Sequence, residues 1–312
     1  MAEDKETQRW VVGMDAGGTS LRVAVAEAES GRIEARAEGV ASGDGGPETV
    51  AAILDTALQS AGATRAEVAA VCAGITKVSR SGVRERWKRD LTALLPEVTP
   101  ETCWIVPDYV AAFHGALPEG AGIAVVAGTG SVVYGENRNS VTVRVGGRGW
   151  EYGDEGSGAW LTAEMVRRTL RALDGVEKPT PVEDAVHRFL ETTDAAVLAE
   201  AARQRALSEG RGFLVPLALQ MAREGVPEAK NLFVGAAGWL AAYVRAAQNR
   251  LNLAAPFSVA TIGGLWEAGD LLREPFETVL RRWLPETTVV APDAPPVVGA
   301  IRIVHRLYKS SG

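Results

Sequence analysis

Residues 13–20 are Gly-Met-Asp-Ala-Gly-Gly-Thr-Ser, and they join two apolar, strand-like runs, Trp10–Met14 and Leu21–Ala26. The pattern predicts a strand that delivers the carboxylate of Asp15 to its end, then a tight glycine turn and a second strand. Adjacent glycines allow the backbone to approach a ligand and to direct N–H groups at it. Such a turn can hold a phosphate while Asp15 holds Mg²⁺ directly or through water. An ordinary hairpin turn explains this segment, taken by itself, equally well.

A second glycine turn, Gly128-Thr129-Gly130-Ser131, lies between the apolar runs Ile123–Ala127 and Val132–Tyr134. Both halves of the chain thus open with a strand, a glycine turn and two further strands before helices follow, which is a weak internal duplication. A Gly/Pro-rich joint at Pro118–Gly122 separates the halves, and a length of 312 residues suits two domains. We expect two α/β domains whose turns face each other across a cleft and hold the phosphates of a nucleotide.

A third candidate residue is Asp108, which follows the buried-strand candidate Cys103–Val106 and Pro107 and precedes a short predicted helix. A carboxylate at such a strand end can accept the proton of an attacking sugar hydroxyl, which accelerates a reaction roughly 10²- to 10⁴-fold. Aspartate is also a common N-cap residue of helices. Position alone favours the cap, so both roles remain open at this point.

The composition excludes several classes of protein. Hydrophobic residues make up 46% of the chain, which excludes a mostly disordered protein, and the formal charge of −6 argues against a protein that coats nucleic acid. The longest apolar stretch, Leu232–Ala247, is shorter than the roughly 20 residues that span a bilayer and predicts a buried helix. Met1–Arg9 has no apolar targeting segment behind it. We therefore expect a cytoplasmic protein that binds neither membrane nor nucleic acid.

Familiar metal and nucleotide motifs are missing from the sequence. The two cysteines form no CxxC pair and the three histidines are scattered, which makes structural zinc or iron–sulfur ligation improbable. No glycine is followed by lysine, so the phosphate-binding loop of P-loop proteins is absent. The dinucleotide fingerprint and the nucleophile elbow are missing as well.

The two turns and Asp108 occur together with Gly153-Asp154-Glu155-Gly156-Ser157. This combination resembles the N-acetylglucosamine kinase branch of the BadF/BadG/BcrA/BcrD ATPase family, within the sugar kinase/heat-shock-70/actin superfamily, over nearly the whole chain. The resemblance implies two ribonuclease-H-like (actin-like ATPase) domains with an interdomain cleft. They would comprise residues 1–117, joined by the C-terminal helix 295–312, and residues 118–294. It also implies an ATP-dependent kinase that uses Mg²⁺ and phosphorylates a small sugar, and we expect a homodimer.

The resemblance also implies roles for single residues. Asp108 matches the catalytic base, and Gly263 and Gly264 match a turn under the adenosine. The sugar-binding positions are matched by Asp108, Arg148, Gly149 and Asp154. The phosphate-binding positions, with Asp15 also the metal ligand, are matched by Asp15, Gly17, Gly18, Thr19, Gly128, Thr129, Gly130 and Ser131.

The sequence departs from the family pattern in two sugar loops. Family members that use N-acetylglucosamine usually have GGWG before the GDEGS motif, whereas this chain has Arg148 in place of the tryptophan. The loop Ala41–Asp44 lacks the usual asparagine. Arg148 could pair with an anionic substituent, such as the carboxylate of N-acetylmuramic acid, because guanidinium and carboxylate match as a fork. The alternative is a surface salt bridge with Glu151 or Asp154.

Two other functions occur on the same fold. Activators of 2-hydroxyacyl-CoA dehydratases need cysteines that bind a [4Fe–4S] cluster at a dimer interface, whereas Cys72 and Cys103 lie in predicted core strands. Sugar-sensing repressors carry a DNA-binding helix-turn-helix ahead of the first turn, whereas fourteen residues precede Asp15 here. An amino-sugar kinase is the function that the sequence favours.

Overall fold

A computed structural model describes residues 8–17, 20–40 and 47–311 of the chain. The chain divides into two compact units. The first contains Met1–Gly120 and Pro292–Gly312, and the second contains Ala121–Ala291. Within the described ranges, no helix combines the length and apolar character needed to cross a membrane.

The first unit is built on a five-stranded mixed sheet with the order β3-β2-β1-β4-β5. Its four strand pairings differ in direction: β1 is antiparallel to β2 and β2 to β3, whereas β1, β4 and β5 run parallel. The strands are β1 (Trp10–Ala16), β2 (Ser20–Glu27), β3 (Ile33–Val40), β4 (Val68–Ile75) and β5 (Cys103–Pro107). The helices are α1 (Pro47–Ser60), α2 (Val83–Leu94), α3 (Asp108–Ala116) and, from the chain end, α10 (Pro296–Ser311).

Alternating apolar side chains give this sheet two buried faces. Val12 and Met14 of β1 pack in a core with residues of α1 and α2, such as Leu54 and Leu91. Val11, on the opposite face, packs in a second core with residues of α3 and α10. A sheet covered on both faces leaves its strand ends as the places where polar groups meet solvent.

The second unit repeats this topology. Its sheet has the order β10-β9-β6-β7-β8, in which β6, β7 and β8 are antiparallel neighbours while β9 and β10 run parallel to β6. The predicted duplication of strand, turn, strand and strand is therefore confirmed, as are the α/β class and the two sheets. The strands are β6 (Gly122–Ala127), β7 (Ser131–Glu136), β8 (Thr142–Gly146), β9 (Phe257–Ile262) and β10 (Thr287–Val290).

One helix dominates the core of the second unit. The predicted buried helix is α8, and its buried side chains, such as Leu232, Leu240 and Val244, lie in the core cluster. Helix α4 begins after its N-cap residue Ser157, whose hydroxyl oxygen accepts the N–H of Trp160 at 3.1 Å. The helices are α4 (Gly158–Leu173), α5 (Pro181–Leu190), α6 (Ala195–Ser208), α7 (Val215–Arg223), α8 (Pro227–Leu251) and α9 (Asp270–Trp283).

Candidate functional site

Two carboxylates lie at the carboxyl edge of the parallel strands of the first unit. Asp15 is the next-to-last residue of β1 and lies opposite Gly74 of β4. Asp108 directly follows β5, whose last residue, Pro107, lies opposite Ile75. One strand, β4, thus separates the two acids, which corresponds to about 10 Å between backbones at the usual strand spacing.

Asp15 is held in a desolvated setting, with 8% of its surface exposed. Burial raises the pKa of its carboxyl group, and the negative charge of nearby Asp108 raises it further. Arg22 opposes both effects through its Nη1, which is 3.5 Å from Asp15 Oδ2. The same guanidinium is shared with Glu38, at 2.7 Å, so its compensation of Asp15 is incomplete.

A buried Asp15 carboxylate whose charge Arg22 compensates only in part fits a bound divalent cation. Mg²⁺ is usually held by one or two carboxylates, with phosphate and water oxygens completing the octahedron. Among the described residues, no group of three or more His, Cys, Asp or Glu could hold a metal by itself. Asp15 would therefore contribute one protein ligand, and a nucleotide and water would supply the others.

Asp108 begins helix α3 rather than capping it. The N-cap position is occupied by Pro107, and Asp108 is the first helical residue, where a carboxylate favours the positive end of the helix dipole. Its Oδ1 accepts the N–H of Tyr109 at 2.8 Å. The residue is partly exposed, so a substrate hydroxyl can reach it.

The turn at Gly128–Gly130 is fixed by the first residues of α4. The N–H groups of Gly158 and Ala159 donate to the carbonyls of Gly128 and Thr129 at 2.8 and 3.0 Å, and Gly128 N–H donates to the Gly130 carbonyl at 2.9 Å. Within the part of the chain that the structure describes, the N–H groups of Thr129 and Gly130 donate to no backbone carbonyl. These two donors are available for a phosphate.

Gly128 has open space where a side chain would lie. A Cβ built on it meets no heavy atom within 4 Å, and its φ is outside the left-handed region. The surrounding protein therefore gives no reason for glycine at this position, whereas a closely approaching ligand would. Ser131 differs, because it is buried and its hydroxyl donates to the carbonyl of Glu155 at 2.8 Å.

Gly263 and Gly264 lie next to this turn. They follow β9, whose last residue, Ile262, pairs with Val126 of β6. A Cβ on Gly263 would lie 2.4 Å from the carbonyl oxygen of Ala127, and φ is +106°, so only glycine fits there. The two glycine turns of the second unit thus share one sheet edge.

The glycine-rich loop 146–157 brings a carboxylate to the Gly128–Gly130 turn. Asp154 Oδ1 accepts the N–H of Gly149 at 3.1 Å, and its Oδ2 would lie 2.8 Å from a Cβ on Gly130. Burial raises the pKa of the Asp154 carboxyl group, and the Gly149 N–H and the charge of Arg144 lower it. The loop therefore places a sugar-binding candidate, Asp154, beside a phosphate-binding candidate.

Arg148 is exposed on this loop. Its backbone N–H donates to the Gly153 carbonyl at 3.3 Å. Among the residues whose positions are described, its guanidinium forms no salt bridge with Glu151, with Asp154 or with any other acid. The alternative role predicted for Arg148, a surface salt bridge with one of these two residues, is therefore not formed.

Residues 12–303 match the family described as the BadF/BadG/BcrA/BcrD ATPase family. The chain belongs to this family. The similarity extends to solved structures: a candidate N-acetylglucosamine kinase from Chromobacterium violaceum is 30% identical, with a TM-score of 0.72 over 96% of this chain and 99% of that one.

Two curated relatives are also similar. An N-acetyl-D-glucosamine kinase from Dictyostelium discoideum is 26% identical over 238 residues, which cover 75% of this chain and 74% of that protein. An N-acetylmuramic acid/N-acetylglucosamine kinase from Clostridium acetobutylicum is 35% identical over 86 residues, only 28% of the length of either protein. Membership of an ATPase family implies that the chain uses ATP.

Both cysteines of this family member are buried. Cys72 of β4 is fully buried, and Cys103 of β5 has 2% of its surface exposed. Burial raises the pKa of both thiols, that of Cys103 to about 11. Neither can bind an iron–sulfur cluster at a surface without unfolding a strand, which argues against an activator of 2-hydroxyacyl-CoA dehydratases.

The site contains residues that the sequence pattern did not single out. Arg144 of β8 donates to the carbonyls of Gly146 and Gly147, and the guanidinium of Arg211 lies 4.8 Å from the ring centre of Trp150. Neither arginine belongs to a recognisable motif. Arg144 contacts backbone atoms, and Arg211 contacts a residue 61 positions away in the sequence. The predicted phosphate-binding residues Gly18 and Thr19, and the sugar loop at 41–46, lie outside the described residues.

Proposed function

We propose that this chain transfers the γ-phosphate of ATP to a hydroxyl of an amino sugar similar to N-acetylglucosamine. The observation that carries the proposal is the pair Asp15 and Asp108, which share the carboxyl edge of the parallel strands β1, β4 and β5 in a member of this ATPase family. Ligands of open α/β sheets bind at that edge. The relatives that cover most of the chain bear the names of N-acetylglucosamine kinases, which supports the sugar class.

Each residue has a role in the proposed reaction. Asp108 accepts the proton of the attacking hydroxyl, because its carboxylate is partly exposed at the strand end. Asp15 would hold Mg²⁺, which would neutralise charge on the phosphates. Gly128, Thr129 and Gly130 direct backbone N–H groups at the phosphates. Phosphate binding by Gly17, Gly18 and Thr19 stays a prediction from the sequence. Ser131 stabilises the loop through its bond to Glu155 rather than by binding phosphate.

The glycine-rich loop 146–157 of the second unit supplies the sugar contacts in this proposal. Asp154 accepts a hydrogen bond from a sugar hydroxyl, and Gly149 contributes backbone contacts. Gly263 and Gly264 form the floor under the adenosine, and at position 263 only glycine allows the backbone to lie against Ala127. The domain boundaries, 1–117 with 295–312 and 118–294, stay a prediction.

A second candidate substrate is an acidic amino sugar such as N-acetylmuramic acid. Arg148 is exposed beside Asp154 and is paired with no acid in the described residues, so its guanidinium is available for a carboxylate. The Clostridium relative, matched over part of its length, is named for both sugars. The test measures the release of ADP with N-acetylglucosamine, N-acetylmuramic acid, muramic acid and glucose. If none of the amino sugars causes release of ADP, the proposal is refuted.

The assembly and location remain predictions. A homodimer is expected, and analytical ultracentrifugation of the purified protein would measure its mass directly. A cytoplasmic location is expected from the sequence and is tested by fractionation of cells.

A further inference from the structure

Tyr243, on the core helix α8, touches both ends of the glycine-rich loop 146–157. Its hydroxyl donates to the Oε2 of Glu155, which is 88 residues away in the sequence. Its ring lies against Gly146, where a built Cβ would be 2.5 Å from Tyr243 Cε2. One side chain on a rigid core helix therefore contacts both the start and the end of this loop.

Glu155 is held by a second contact through its main chain. Its carbonyl accepts the hydroxyl of Ser131 at 2.8 Å, and Ser131 directly follows the Gly128–Gly130 turn. Asp154 is the neighbouring residue and lies against Gly130. Glu155 is thus fixed at its carboxylate by α8 and at its backbone by β7, and it cannot shift without moving Asp154.

The chemistry of the pair suits a fixed contact. Burial and the hydrogen bond to Glu155 both raise the pKa of the Tyr243 hydroxyl, so it remains a donor at neutral pH. A hydrogen bond to an ionised acceptor is stronger than one between neutral groups. With one oxygen engaged by Tyr243, the Glu155 carboxylate is directed into the protein rather than toward a ligand.

We propose that Tyr243 and Glu155 form a positioning pair, which holds Asp154 at the distance from the Gly128–Gly130 turn that sugar binding requires. The inference rests on the proposed function, in which Asp154 contacts the sugar. It assigns Glu155 of the GDEGS motif to ordering the loop and not to binding the sugar. It also makes Tyr243 a residue that acts on the reaction only through Glu155.

The test compares Tyr243→Phe, Glu155→Gln and the double variant with the wild-type protein. Phenylalanine keeps the ring that packs on Gly146 and removes only the hydroxyl, whereas glutamine keeps an acceptor oxygen and removes the charge. Tyr152→Phe is the matched control, because Tyr152 lies on the same loop but has 87% of its surface exposed. Thermal unfolding establishes that each variant is folded.

We expect Tyr243→Phe to raise the KM for the sugar about 10-fold or more, with the KM for ATP changed by less than about twofold. Glu155→Gln should have a smaller effect, and the double variant should resemble Tyr243→Phe, because both changes remove one contact. Hydrogen exchange should be faster in the peptides that cover 146–157 for Tyr243→Phe and unchanged for Tyr152→Phe.

The outcomes separate this inference from the proposed function. If the wild-type protein phosphorylates no amino sugar, the proposed function fails, while the exchange rates still report on whether Tyr243 orders the loop. If the wild-type protein is active and Tyr243→Phe leaves both the sugar KM and the exchange unchanged, the positioning role is wrong. Faster exchange with an unchanged sugar KM would also overturn it, because the loop order would then have no effect on the sugar.

Discussion

The open space beside Gly128 makes a direct test of the proposed phosphate site. We expect Gly128→Ala to fold normally and to bind ATP more weakly. A Cβ at this position meets no protein atom within 4 Å, and the backbone conformation is outside the left-handed region, so alanine causes no strain. If the phosphates lie against this turn, the added methyl group occupies their space.

The size of the effect follows from the contacts that would be lost. A hydrogen bond from a backbone N–H to a charged phosphate oxygen contributes about 1.5–3 kcal/mol, which corresponds to roughly 10- to 100-fold in Kd. Gly128→Val should weaken binding at least as much, because its two methyl groups extend further. The free energy of unfolding should change by less than about 1 kcal/mol in Gly128→Ala.

Gly238→Ala is the matched control. Gly238 lies in α8, and a Cβ there also meets no heavy atom within 4 Å. Alanine should stabilise the helix by roughly 0.5–1 kcal/mol and leave ATP binding unchanged. Calorimetric titration with a non-hydrolysable ATP analogue measures both variants. A Kd for folded Gly128→Ala within about threefold of the wild-type value would refute the phosphate site at this turn.

Three other substitutions test separate roles. Asp108→Asn should lower kcat by about 100-fold or more while the Kd for ATP stays the same, and a variant that retains over about a tenth of the activity would contradict the base assignment. Asp15→Asn should abolish activity yet raise Tm at pH 7. Folding raises the pKa of Asp15, so its negative charge destabilises the folded state above that pKa. This destabilisation vanishes below the usual pKa of 3.8, where the carboxyl group is protonated in both the folded and the unfolded state. The gain in Tm should therefore disappear in unfolding scans near pH 3. Arg148→Trp should shift the ratio of kcat/KM toward N-acetylglucosamine over N-acetylmuramic acid by roughly 10- to 100-fold if Arg148 binds a carboxylate, and a shift below about threefold would exclude that role.

Much of the fold follows from local sequence patterns. The two strand–turn–strand openings, the N-cap at Ser157 and the core helix α8 were all predictable, because each depends on residues that are close in the sequence. Strand β4 (Val68–Ile75) depends in part on a contact that is distant in the sequence. It continues to Ile75 because Gly74 lets the strand approach α3: a Cβ on Gly74 would lie 2.7 Å from Ala111 Cβ.

The site was predictable only where backbone geometry defines it. Glycine turns at strand ends leave a pattern in the sequence, and so does a carboxylate that follows a strand, as with Asp108. The contact of Tyr243 with Glu155 leaves no such pattern, since it joins a core helix to a loop 88 residues earlier. Tyrosine on a predicted buried helix indicates packing, and only the tertiary structure reveals the partner of its hydroxyl.

The division between backbone and side-chain contacts bears on the departure from the family pattern that the sequence predicts at Arg148. The phosphate candidates act through N–H groups, which every residue except proline carries, so this part of the site depends on glycines that keep the space open. The sugar candidates act through side chains such as Asp154 and Arg148. Arg148 is exposed, and its guanidinium has no acid partner among the described residues, so replacing a tryptophan by arginine there costs the fold little. Substrate preference can therefore change at this loop while the phosphate turn, held by α4 through Gly158 and Ala159, stays the same.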